Sequence, residues 1–200
     1  MAAIVRALLA LAVLSYCVSS TYGVLLSTLP RSLAVSVFGP AVLKAGKDYM
    51  TVTWQLNNTQ AKGSDSAYKT IKLKLCYAPV SQKDRRWRGT KDNLLKDKTC
   101  PFKIAAKPYV AANATTAQTV KWLVPDTTPG ATYFVRAFAV DANDNQVAFG
   151  QTTDAKKTTN LFEVKALSGR TVGIDIAAGC FSVASIGILI IFHIFEKAKK

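Results

Sequence analysis

Twenty consecutive residues, Ile176 to Phe195, contain no Lys, Arg, Asp or Glu. A helix of that length rises about 30 Å, the thickness of a bilayer's hydrocarbon core, so the chain is expected to cross a membrane once over residues 172–195. Gly179, Ala184, Ser185 and Gly187 interrupt the bulky side chains of the run. Small residues let a second helix approach closely in lipid, where packing drives association. Glu196, Lys197, Lys199 and Lys200 follow the run, and cytoplasmic flanks favour Lys and Arg, which assigns residues 196–200 to a cytoplasmic tail. A lipid-anchor signal would end on its hydrophobic segment, whereas this chain continues into charge. His193, the sole histidine, lies inside the run and reads as an interfacial side chain rather than a ligand.

The amino end has the three-part layout of a secretory signal. Arg6 precedes an apolar stretch from Ala7 to Leu14, and small or polar residues follow at Ser19, Ser20 and Gly23. Residues 1–23 are assigned to a signal peptide with the mature start near Val24, Ser20 being the other candidate. Residues 24–170 are then one extracytoplasmic domain of ordinary size.

Setting aside Arg6 and the three tail lysines leaves 22 of the 26 basic residues in this domain, and setting aside Asp175 and Glu196 leaves 10 of the 12 acids, a balance of about +12. Nucleic acid is the usual partner of such a charge, but a secreted surface does not meet it. Anionic solutes, acidic polysaccharide, lipid head groups or an acidic protein face remain. Cys17 falls in the signal and Cys180 in the span, so an oxidising lumen leaves Cys76 and Cys100 to form one disulfide. Two cysteines without a domain histidine fall short of a metal site, and no cofactor is implied. Asn57 and Asn113 each begin an Asn-X-Thr acceptor for glycosylation.

Alternation with a period of two marks strands with one buried face. It places Met50, Val52, Trp54 and Leu56 on one side of Tyr49–Leu56, and Ile71, Leu73, Leu75 and Tyr77 on one side of 69–77. It also groups Val120, Trp122 and Val124. Fainter alternation marks 32–38, 146–151 and 161–166. Residues 131–141 are apolar on both faces apart from Arg136, as expected of a central strand, and Pro129-Gly130 before them supplies turn chemistry. Together these predict an all-β ectodomain, an immunoglobulin or fibronectin III-like sandwich. Tyr133 is placed to tie down the corner before that strand, and Trp54 to fill the core.

From Gln82 to Lys107 the alternation lapses, and nine Lys or Arg residues stand against three Asp, with Trp87 among the arginines. This is expected to be a cationic loop inserted in the sandwich and pinned by its cysteines. Trp and Arg most often carry protein-binding energy, so Arg85, Arg86, Trp87 and Arg88, with Lys96 and Asp97, are the candidate partner contacts. No catalytic constellation accompanies them: without a domain histidine there is no Ser-His or Cys-His pair, and no glycine loop cradles phosphate. The chain does not read as an enzyme.

The runs Lys74-Leu75-Cys76-Tyr77-Ala78-Pro79, Asp84-Arg85, Trp87-Arg88, Lys96-Asp97-Lys98-Thr99-Cys100-Pro101, Thr132-Tyr133-Phe134-Val135-Arg136-Ala137, Thr159-Asn160-Leu161-Phe162 and Ser168-Gly169-Arg170 closely resemble the plant high-affinity nitrate transporter accessory (activating) proteins. The resemblance implies a non-catalytic subunit at the plasma membrane, ectodomain outside, in a hetero-oligomer with a multi-span nitrate transporter of the major facilitator type. It also implies a role in that transporter's stability, delivery or activity. A receptor or adhesion module binding acidic wall polysaccharide is the alternative suggested by charge alone.

Overall fold

The computed structural model describes residues 23–199 apart from 58, 60, 62 and 112–114. The signal assigned to 1–23 and the acceptor Asn113 therefore lie outside the described residues, save for Gly23. The chain forms two units, one ending at Ala166 and the other beginning at Leu167.

The first unit is a sandwich. Strand β1 (Leu33–Phe38) and strand β6 (Gln118–Leu123) flank β3 (Tyr49–Leu56) in an antiparallel three-stranded sheet. The second sheet runs β2 (Val42–Lys44), β9 (Phe162–Lys165), β7 (Ala131–Val140), β4 (Thr70–Tyr77) and β5 (Phe102–Pro108). Strand β8 (Gln146–Gln151) shares one edge of β7 with β9, which takes residues Ala131–Tyr133 while β8 takes Arg136–Val140. Because successive side chains in a strand alternate faces, Ile71, Leu73, Leu75 and Tyr77 of β4 join Tyr133, Val135, Ala137 and Ala139 of β7 on one side. Met50, Val52 and Trp54 of β3 meet them to complete the core. All eleven are buried. Each contributes of order 1.5–3 kcal/mol where a large apolar side chain leaves water.

Two backbone details close the sandwich. The Tyr133 hydroxyl donates to the Pro129 carbonyl oxygen at 2.7 Å, the expected corner. Burial, then the neighbouring Tyr77, raises the pKa of that phenol, so it stays a donor. Where β1 crosses β8, a Cβ on Gly150 would lie 2.1 Å from the Leu33 carbonyl oxygen; only glycine permits this approach of two backbones.

Two strands escape the sequence reading. Residues 102–108, expected as loop, form β5 against β4, with a register shift at Leu73/Lys74. At this edge position β5 has one buried side chain, Ile104, so its alternation is faint. Strand β2 is three residues long and pairs in parallel with β9, too short to show a period.

The second unit carries helix α1, Val172–Ala198, 27 residues. Among the described residues it is long and apolar enough to cross a membrane. Arg170 Nε donates to Asp175 Oδ1 at 2.6 Å beside its first turn, and Asp175 there meets the helix's positive end.

Candidate functional site

Strand β7 is buried on both faces. Its inner face meets the core, and its outer face presents Phe134, Arg136 and Phe138, which are closed to solvent as well. Register builds rows on that outer face: Cys76 opposite Phe134, then Lys74, Arg136 and Gln151 side by side, then Lys72, Phe138 and Phe149. The Arg136 guanidinium lies 5.3 Å from the Phe134 ring centre, 5.8 Å from Phe138 and 6.0 Å from Phe149. Its Nε and Nη2 donate to Gln151 Oε1 at 3.3 and 3.1 Å. A fully buried charge demands an opposite partner. Asp97 supplies it, Oδ2 standing 3.7 Å from Nη1 with both side chains buried. Burial still pushes Arg136 down to about 10, against the pull of Asp97, so it remains cationic.

Asp97 comes from the segment between the cysteines, which is a third layer over the sheet rather than a free loop. The Cys76–Cys100 disulfide ties its far end to β4. Asp97 Oδ1 accepts from Thr99 Oγ1 at 2.6 Å and from the backbone amides of Thr99 and Lys91 at 3.1 and 3.2 Å, so one carboxylate folds the segment and neutralises the sheet. The amino-terminal residues clamp its other side. The amide and hydroxyl of Ser27 donate to Asp92 at 2.8 and 2.6 Å, which holds that carboxyl below its usual range. The amide of Leu94 donates to the Val24 carbonyl at 2.9 Å.

This layer separates the six nominated contact residues into two kinds. Arg85, Arg86, Trp87 and Lys96 face solvent, Trp87 at 64 % exposure; Val80 and Leu95 of the same segment are exposed as well. An exposed tryptophan among arginines is a residue set that often carries partner-binding energy. Arg88 and the Asp97 side chain are turned inward instead. Arg88 packs its guanidinium 4.2 Å from the Tyr77 ring centre and donates to the Ser81 carbonyl at 3.3 Å; Tyr77 stacks in turn on Tyr133 at 5.1 Å. Any effect of Arg88 or Asp97 on partner contact passes through the shape of the layer. Asn57 lies at the end of β3, where its side chain accepts from the Thr59 amide.

Residues 26–169 match the family model described as "High-affinity nitrate transporter accessory, Ig-like domain". The chain belongs to the high-affinity nitrate transporter accessory family. Curated relatives agree. It is 52 % identical over 162 residues to "High-affinity nitrate transporter 3.1" of Arabidopsis thaliana, covering 80 % of this chain and 75 % of that protein. It is 49 % identical over 159 residues to "High-affinity nitrate transporter 3.2" of the same plant, covering 79 % and 74 %. It is 44 % identical over 180 residues to "High-affinity nitrate transporter-activating protein 2.1" of Oryza sativa subsp. japonica, covering 88 % and 83 %. The family is one of transporter accessory proteins rather than catalysts, and its Ig-like domain agrees with the sandwich expected from alternation.

What the sequence reading missed in this accessory protein is the central place of Arg136, noted there only as the exception in an apolar strand. That exception was the available signal. A lone arginine in a strand otherwise buried on both faces must have a buried counter-charge.

Proposed function

We propose that this chain is a non-catalytic accessory subunit that binds a multi-span high-affinity nitrate transporter of the major facilitator type at the plasma membrane and supports its stability, delivery or activity. The observation that carries the reading is the cysteine-framed layer, held rigidly over the sheet, with Arg85, Arg86, Trp87 and Lys96 on its outer surface. Rigid elements present a contact face with less ordering cost than a mobile loop. The layer docks on the transporter's extracellular side, and the span, with Gly179, Ala184, Ser185 and Gly187, packs against one of its helices. The signal at 1–23 is removed on the way, and Asn57 and Asn113 are glycosylated. The complex is a hetero-oligomer.

The test is co-expression with a candidate carrier in a cell lacking both, with labelled nitrate uptake measured beside surface abundance of the carrier. Uptake is expected only when both proteins are present, and Trp87→Ala combined with Arg85→Ala is expected to reduce recovery of the complex at least tenfold, a loss of about 1.4 kcal/mol or more. Unchanged uptake and abundance across several carriers would sink the accessory reading. Full recovery of the complex by the double variant would move the contact elsewhere on the ectodomain.

A further inference from the structure

Strand β1 pairs with β3 along one edge, and over Val35–Val37 its other edge meets no strand among the described residues. The ladder fixes which main-chain groups point there. The Asn57 amide donates to the Ser32 carbonyl at 2.8 Å, and the register continues with Ala34 opposite Gln55, Ser36 opposite Thr53 and Phe38 opposite Thr51. Antiparallel pairs alternate between hydrogen-bonded and non-bonded, so Ser32, Ala34, Ser36 and Phe38 turn their N–H and C=O groups to β3. Leu33, Val35 and Val37 turn theirs outward. The Leu33 carbonyl meets β8 at Gly150, which agrees with this phase and closes that end of the edge. Pro40, just past the strand, has no N–H to offer. The open stretch is therefore Val35 to Val37, centred on Ser36.

An unpaired edge is a template for another strand, and folded proteins blunt such edges with lysine, proline or short length. The other ends of the two sheets follow that rule. Strand β5 carries Lys103, Lys107 and Pro108, β6 carries Lys121, and β2 is three residues long. Strand β1, Leu-Ala-Val-Ser-Val-Phe, has none of these devices, and Phe38 at its end is 83 % exposed. Beside the open stretch lies a groove of about 320 Å³ lined by Val35, Val37, Pro40, Leu43, Leu161 and Phe162, so a strand added there also covers apolar surface.

We infer that β1 is the seam of a two-fold pairing between two copies of this chain, the strands antiparallel and Ser36 on the axis. A two-fold interface must be complementary to itself, and this edge is. Val35 of each copy faces Val37 of the other, so every outward N–H and C=O of the stretch is paired. Their side chains share the inner face and extend over the groove. On the outer face Phe38 lies opposite Ala34, a large side chain beside a small one. The strand is uncharged within a domain of about +12, so two such domains approach here without like charges opposed. A foreign strand would need only the backbone groups; the symmetry of the open stretch about Ser36 and the match of Phe38 to Ala34 favour a second copy. A seam of one short strand is small beside the ~1,600 Å² of a standard interface, so pairing is expected of chains concentrated in a membrane.

The experiment expresses the full chain without any carrier, in a Cys180→Ser background, and treats isolated membranes with a mild oxidant before non-reducing electrophoresis. Opposite residues of a non-hydrogen-bonded pair have Cα atoms about 4.5 Å apart, within disulfide reach. Ser36→Cys is expected to give at least tenfold more linked dimer than Thr119→Cys, placed on the far strand of the same sheet. Ala34→Cys and Phe38→Cys should each stay monomeric alone and link to one another when co-expressed with different tags. All four positions are exposed, so surface yield should equal the parent's, and a link specific to the mixed pair cannot arise from misfolding. Ser36→Cys linking no more than Thr119→Cys, equal linking at every position, or no mixed link between positions 34 and 38 would overturn the proposal. So would a Ser36→Cys link to a co-expressed carrier in place of the self-link, which would give the edge to a strand of that carrier. The carrier-free arms leave uptake untouched, so this inference and the accessory reading fail separately.

Discussion

Replacing Asp97 by Asn removes one charge and almost no volume, and it strands the Arg136 guanidinium in the sheet. With 3.7 Å between Nη1 and Oδ2 and an effective dielectric constant of about 20, the lost attraction is about 4.5 kcal/mol. Part of that returns, because Asp97 no longer has to be desolvated, and removing one partner of a buried pair costs about 3–5 kcal/mol. The expected destabilisation is therefore about 3 kcal/mol. The asparagine carbonyl can still accept from Thr99 and Lys91, so the substitution isolates the charge from the fold of the segment. Asp97→Ala removes both and should cost a further ~1–3 kcal/mol through stranded amides. The assay is urea denaturation of the full chain in detergent and in nitrate-free buffer, followed by the fluorescence of buried Trp54. At about 2–4 °C per kcal/mol, the accompanying fall in Tm is roughly 6–12 °C. An Asp97→Asn protein within about 0.5 kcal/mol of the parent would refute the reasoning, since it would mean that Gln151 and the three aromatic rings alone satisfy Arg136.

Tyr133→Phe removes the corner hydrogen bond to Pro129 and should lower stability by about 1–2 kcal/mol in the same denaturation assay; no change would make the bond incidental. Gly150→Ala places a methyl group against the Leu33 carbonyl and should part β1 from β8. The expected readout is a loss of several kcal/mol or a failure to leave the secretory pathway, scored by surface yield. Acid should loosen the third layer and its neighbouring turns only below about pH 4. Backbone hydrogen bonds depress the carboxyls of Asp154 and Asp141, and bonds from Ser27 depress that of Asp92. Folded values below the unfolded one mean that their stabilisation is complete above the ordinary carboxylate range and is lost as pH falls through the folded values. Stability measured from pH 7 downward should stay level to about pH 4.5; a decline already at pH 6 would show that other groups govern it.

Much of this architecture is written locally. The uncharged run from Ile176 to Phe195 determines a helix long and apolar enough to span a bilayer, the form in which every backbone polar group is paired within the segment. Alternation determines β3 and β4 because their two faces meet different environments. Tyr133 after Pro129-Gly130 announces the corner, and with Cys17 and Cys180 in the two apolar ends, Cys76 and Cys100 are left to each other. Tertiary structure decided the rest. The segment between the cysteines looks like a solvated cationic loop because only part of it turns inward, at irregular intervals that have no period. Nothing in the sequence sets Arg88 and Asp97 apart as inward-facing from the solvent-facing Arg85 and Lys96 until the sheet beneath them is in place. Strand β5 becomes visible only when β4 offers its edge, since one buried residue in seven makes no pattern. Arg136 stands in the sequence as a charge in an apolar strand, but its counter-charge lies 39 residues away. Which acid answers it is settled by the chain folding that segment back over the sheet, where a buried cation costs too much to be left without a partner.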